Sequence, residues 1–199
     1  MNLARRHALL IALAAALPGC SLAPVDVEPR RAILQPQPAD IPTAPTIAAT
    51  LLVMPTRGAA AYDTTQMAYS LAAHELAYYA RNEWADTPAH MLNSLIVRTA
   101  EATHRFRAVA VAPHAGRVEY TLATDLVELR QDYTVDPPVA RLALRAELRD
   151  AQGRTFASRS FDAASPMAER SPQSGAAAAS AAASRVLGDI ARFLVENTR

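Results

Sequence analysis

The chain of 199 residues contains a single cysteine, Cys20, so no intramolecular disulfide can staple the fold, and whatever forms must be held by its apolar core. That cysteine closes a recognisable layout. Arg5 and Arg6 precede the apolar run from Ala8 to Leu17, which ends on Leu17-Pro18-Gly19-Cys20. A basic start, an apolar run too short to span a bilayer and a small residue before the cysteine make up a bacterial lipoprotein signal. Residues 1–19 are therefore expected to be removed and Cys20 to be acylated, with palmitate among its acyl chains. Pro18 is unusual at its place, and a short core helix followed by a buried thiol is the competing reading. Ser21 follows the cysteine where an Asp would signal inner-membrane retention in enteric-type bacteria, which favours the periplasmic face of the outer membrane.

Once Arg5 and Arg6 leave with the signal, eighteen basic residues, all Arg, remain against nineteen acids. Near-neutrality gives no basic footprint for nucleic acid. From Ser21 to Pro45 the chain carries six prolines and few large apolar residues, the composition of an extended, semi-rigid tether rising about 3.1 Å per residue. The expected organisation is a signal (1–19), an acylated cysteine and tether (20–45), and one domain (46–199), which at about 150 residues is the usual size for a single core.

Within that domain, Ile47 to Met54 is a short apolar run stopped by Pro55 and reads as a buried strand. Gln66 to Arg81 places Met67, Tyr69, Leu71, Leu76 and Tyr78 at alternating positions, which suggests two strands turning near Ala73-His74. A helix competes there because Ala, Leu and Glu are plentiful. Thr87-Pro88 opens a helix with a capping hydroxyl and a proline at the first helical position, and Met91, Leu92, Leu95, Ile96 and Thr99 recur at helical spacing. Val109 to Val111 reads as a short strand. Val118 to Arg130 alternates and then changes phase at Leu126-Val127, as a bulge requires. Ala140 to Arg149 alternates Leu and Ala with Arg and Glu, Asp150 to Gly153 turns, and Thr155 to Phe161 returns as a hairpin partner. A last helix after Ser171-Pro172 runs to Val195, burying Ala183, Val186, Leu187, Ile190 and Leu194. The sum is an α+β domain, a mainly antiparallel sheet with two helices packed on one face.

No constellation for bond-breaking chemistry emerges. His74, His90, His104 and His114 are spread singly, and His74-Glu75 begins like a zinc-protease helix whose second histidine position holds Tyr78. No serine sits in a Gly-x-Ser-x-Gly elbow, and six glycines leave little for a phosphate cradle. Asp125, on the polar side of its strand, reads as solvated. The informative residues are aromatic: Tyr62, Tyr69, Tyr78, Tyr79 and Trp84 either anchor the core or form a partner surface. No cofactor or metal is expected.

Tyr69 in QMAYSL, the stretch LAYYARNEW with Trp84, then Ala85, Asp86, Pro88 and Met91-Leu92, together resemble the ABC-type transport auxiliary lipoproteins. Val53-Met54-Pro55 answers the family's early strand motif, and Ala176 to Leu194 its alanine-rich final helix, while the alanine-filled loop Gly58 to Ala61 departs from the pattern. The resemblance implies a non-enzymatic subunit of an MCE-type ABC system that moves phospholipid or other lipid across the periplasm. Such a subunit would dock an MCE-domain partner beneath the outer membrane. Tyr69, Tyr78, Tyr79, Trp84 and Pro88 would then be partner-binding or structural positions. The number of copies, a homo-oligomer included, is left open. The competing readings are an envelope hydrolase with a site assembled from distant residues, and a purely structural envelope lipoprotein.

Overall fold

The alternation through Tyr120 and Leu122, and its change of phase a turn later, set the frame of the molecule. The computed structural model describes residues 28–37 and 40–199, so Cys20 and the expected signal lie outside the described residues. The frame is the strand β7 (Tyr120–Asp132). Leu122, Thr124 and Leu126 face the core; then the register against β8 (Val139–Asp150) slips between Leu126 and Glu128, and Leu129 and Gln131 face the core instead. The slip leaves Val127 50% exposed between two buried leucines. The bulge expected from the sequence is therefore present, and it keeps a 13-residue strand amphipathic along its whole length.

Both edges of β7 are used. β8 pairs antiparallel along the whole of one edge, and β9 (Thr155–Pro166) extends the sheet antiparallel beyond it. The other edge takes three strands in succession, all parallel. β2 (Ile47–Val53) pairs at Leu51–Val53, β3 (Arg57–Gly58) at Asp125 and Leu126, and β4 (Gln66–Ser70) at Ala68–Ser70. Beyond β2 lies β6 (Phe106–Val111), parallel to it; beyond β4 lies β5 (Ala77–Trp84), antiparallel, and then β1 (Arg30–Ala32), parallel to β5. The α+β class stands, but the sheet is mixed where a mainly antiparallel one was expected. Side-chain alternation reports which face a residue takes and says nothing of the direction of the neighbouring strand. The turn near Ala73-His74 is also as expected, with His74 at φ 65° between β4 and β5.

Two helices cover one face. Helix α1 (Pro88–Ala102) starts where Thr87 accepts a hydrogen bond from the His90 N–H, with Pro88 in the first turn. Helix α2 (Pro172–Asn197) starts at Ser171, whose hydroxyl accepts from the Ser174 N–H at 3.1 Å. Leu92 and Ile96 of α1 and Val186, Leu187, Ile190 and Leu194 of α2 are fully buried against Leu51, Leu122, Leu144 and Leu148 of the sheet. Each such side chain contributes roughly 1.5–3 kcal/mol through burial, so this apolar layer stands in for the missing disulfides.

The segment expected as a semi-rigid tether up to Pro45 is in part a strap on the domain. β1 adds to the sheet, Leu34 is 7% exposed, and the Gln35 N–H donates to Ser180 Oγ at 3.1 Å. Further on, the Ala44 N–H donates to the Thr103 carbonyl at 3.1 Å, and Arg105 reaches the Pro45 carbonyl at 2.8 Å. These residues are packed on the domain and do not stand apart from it. Proline content dictates an extended backbone, and an extended backbone is also what a sheet edge and a groove between helices accept.

The bulge makes a sharp prediction. Val127→Glu should change thermal stability by no more than about 0.5 kcal/mol, because its side chain is outside. Leu129→Glu, two residues on, would bury an unpaired charge and should cost about 4 kcal/mol or more. Differential scanning calorimetry on both variants decides; equal effects would remove the bulge.

Candidate functional site

Alternation along β5 sends its neighbouring tyrosines to opposite faces of the sheet. Tyr78 is 37% exposed, and its hydroxyl donates to the Ala61 carbonyl at 2.9 Å. Tyr79 turns the other way and meets Tyr69, with ring centroids 4.5 Å apart, while Tyr69 stands edge-on to Tyr133 at 6.3 Å. The Tyr79 and Tyr133 hydroxyls lie 2.7 Å apart, and each is 2.9 Å from Gln131 Oε1, a triangle of oxygens bridged by two protons. The Gln131 amide nitrogen donates to the Pro172 carbonyl at 3.3 Å, so the triangle is tied to the first turn of α2. Burial, then the Tyr133 hydrogen bond, pushes the Tyr79 phenol far above its ordinary range and keeps it protonated. Arg170 lies over the Tyr133 ring, 5.0 Å from its centroid.

Of the sequence-derived positions, Tyr69 and Tyr79 are thus brought together, and Tyr78 stands apart on the other face. Trp84 and Pro88 go into the interior: Trp84 is 4% exposed, with its backbone N–H donating to the Thr65 carbonyl at 2.7 Å, and Pro88 is buried at the start of α1. Of the two roles left open for Trp84, its burial fits core anchoring. Sequence reasoning missed Gln131, Tyr133 and Gly175. Gly175 was the readable signal, a glycine within a helix otherwise rich in alanine. An added Cβ there would collide with the Gln131 amide, so the glycine exists for close packing of helix on network.

Above the tyrosines, the β4–β5 turn and the β7–β8 loop form one end of the sheet. They border an open recess of about 410 Å³ lined by Tyr62, Ser70, Ala72, Ala73, His74, Glu75, Leu76, Arg130 and Thr134. Several of its polar groups are engaged within the chain. The Ser70 hydroxyl donates to the Glu75 carbonyl at 2.7 Å, and Arg130 pairs with Glu128 and Asp132. Asp132 is buried, which works against its carboxylate. Hydrogen bonds from the Thr134 hydroxyl (2.6 Å), from Arg141 (2.6 Å) and from the Thr134 N–H (3.0 Å), with the charge of Arg130, outweigh burial and hold its pKa down to about 2. Such a group stays ionised at neutral pH and has no proton to give. His74, in the turn, is not on a helix face as a zinc-protease motif would need. Among the described residues no three His, Cys, Asp or Glu side chains gather, and no helix is long and apolar enough to cross a membrane.

Residues 33–191 match the family model of the ABC-type transport auxiliary lipoprotein component. The crystal structure of protein XCC0632 from Xanthomonas campestris is 26% identical, with a TM-score of 0.74 over 85% of this chain and 95% of that one. A second crystal structure, of a protein described only as uncharacterized, is 15% identical with a TM-score of 0.68, covering 84% of this chain and 99% of the other, and bears on the fold alone. No curated protein matches the chain.

Two outcomes test the network. Alanine at an interior helical glycine ordinarily stabilises by about 0.5–1 kcal/mol. Gly175→Ala should reverse that sign and destabilise by roughly 1–3 kcal/mol through overpacking, with Gln131→Ala relieving the clash in the double variant. Urea unfolding of the four proteins reads the coupling, and additive effects would contradict it. For Asp132 the folded pKa is depressed, so its contribution is complete above the unfolded value of about 4 and is lost as pH falls towards about 2. Acid unfolding followed by circular dichroism should be shallower in that window for Asp132→Asn than for the unaltered protein.

Proposed function

The chain belongs to the ABC-type transport auxiliary lipoprotein family, and on that premise we propose that it is the non-enzymatic, membrane-anchored accessory subunit of an MCE-type ABC transport system. In this reading Cys20 carries the lipid, and the domain lies at the periplasmic face of the outer membrane. It receives the end of an MCE-domain protein and so completes a route for phospholipid or other lipid between the two membranes. The observation that carries the reading is the family match, which extends from the strap to the last turns of α2 and so takes in nearly the whole folded domain. The geometry is consistent with a holding role. Asp132, which pairs with the recess-lining Arg130, is locked in ion pairs, and the hydroxyl of Ser70, itself in the lining, is spent on the turn it belongs to. Groups so engaged give shape to a surface, and the Ser70 hydroxyl, which donates to a backbone carbonyl, is not paired with a base as a nucleophile would be.

The test is co-purification from detergent-solubilised envelopes of a strain expressing this chain and its cognate MCE-domain protein. The unaltered chain should incorporate labelled palmitate, fractionate with the outer membrane and retain the MCE-domain protein. Cys20→Ser should lose label and membrane association together. An acylated chain that leaves the MCE-domain protein unbound, or one that turns over an envelope ester or glycan, would contradict the reading.

A further inference from the structure

The end of the sheet that carries the recess is apolar where a turn is ordinarily polar. The β4–β5 connection reads Leu71-Ala72-Ala73-His74-Glu75-Leu76, and every residue in it is exposed, Leu71 at 63%. Small polar residues are the usual occupants of such a turn. Beside it the β7–β8 loop exposes Val135 and Pro137, and the Tyr133 N–H donates to the Ser70 carbonyl at 3.0 Å, joining the two loops. Leu71, Leu76, Tyr78 and Val135 are four of the eight exposed large apolar side chains among the described residues, gathered at this end. Single exposed leucines are common; a cluster held in place is a contact surface. The turn is held, by the Ser70 hydroxyl on the Glu75 carbonyl at 2.7 Å and by the Glu75 N–H on the Ala72 carbonyl.

The course of the chain says what would cover this end. β1 is parallel to β5, with Arg30 level with Asn82 and Ala32 level with Trp84, and β5 itself starts at the turn with Ala77. Followed backwards from Ala32 to Arg30, the strap therefore heads towards the leucine turn. Only ten residues separate Arg30 from Cys20, a reach of at most about 35 Å even when fully extended. The two loops themselves expose Glu75 and Asp136, and Arg130 in the recess is paired with Glu128 and Asp132, so no excess of positive charge is offered to headgroups and apolar burial has to supply the contact.

We propose that the Leu71–Leu76 turn, with Val135 beside it, is a second membrane contact that rests in the lipid surface holding Cys20 and fixes the domain's orientation on it. The proposal rests on acylation of Cys20. The leucines would enter the headgroup and acyl boundary, as interfacial apolar faces do to a depth of about 5–10 Å. The opposite end of the sheet, marked by exposed Phe156 at the start of β9, then faces away from the bilayer.

Cysteine scanning of the mature acylated protein tests this, because Cys20 is the only other cysteine and its thiol is blocked by the lipid. Leu71→Cys and Phe156→Cys would each carry an environment-sensitive fluorophore and be reconstituted in phosphatidylethanolamine and phosphatidylglycerol vesicles, with or without brominated acyl chains. The label at 71 should shift to the blue and be quenched by brominated lipid at least about threefold more than the label at 156, since only an inserted group lies near the bromines. With acylation of Cys20 verified by mass spectrometry, a label at 71 that stays in water overturns the membrane contact and leaves the accessory-lipoprotein reading standing. A blue shift without quenching by brominated lipid means that protein, a second copy or a partner, covers the turn, and it also overturns the contact. A Cys20 without acyl chains overturns both.

Discussion

Everything in this domain is referred to one strand. β7 is bonded on both edges, to β8 along one and to β2, β3 and β4 in turn along the other, and its inner face supplies Leu122, Leu126 and Leu129 to the core. A strand so placed loses nothing to solvent on either edge, and it fixes the register of four neighbours at once. Without its bulge the constraint would fail, because a strict alternation over thirteen residues would turn either Leu126 or Leu129 outward. The far end of β7 then sets down Gln131 and Asp132 side by side on opposite faces, one under the tyrosines and α2, the other into the arginines that brace the β7–β8 loop.

This arrangement links fold to function through position. The same end of the sheet carries the tyrosine network, the start of α2, the exposed leucine turn and the direction from which the strap arrives. Ser70, Arg130 and Asp132 at this end are bonded within the chain, which braces the two loops against each other and suits the proposed holding role. The strap changes the mechanical picture as well. A lipid-anchored domain on a long free leash samples many orientations, whereas one whose chain is pinned through β1 and Leu34 has lost that freedom over those residues.

Much of this is legible in the residues, for identifiable reasons. The phase change at Leu126-Val127 announced the bulge because a period of two admits no other explanation, and Thr87-Pro88 and Ser171-Pro172 announced helix starts through capping chemistry. Strand direction was not legible: the pattern of β2 or β4 is the same beside a parallel or an antiparallel neighbour, and the parallel pairings follow from long-range chain path. The tyrosine site was half legible. Tyr69 and Tyr79 stood out by type, but Gln131 and Tyr133, at the far end of another strand, join them only through the sheet, and Gln131 reads as an ordinary polar residue until Gly175 is set against it. Trp84 drew attention as a large aromatic in a distinctive motif, and its burial shows that a motif can mark a family by what its core requires.

The proposed role is that of a fold that grips another protein and carries out no reaction of its own. Sedimentation velocity on the purified acylated chain mixed with the purified MCE-domain protein proposed as its partner, in lipid nanodiscs, tests that claim most directly. The account predicts that the two migrate as one faster species whose amount saturates with added partner. Two boundaries that sediment independently at every mixing ratio would contradict it.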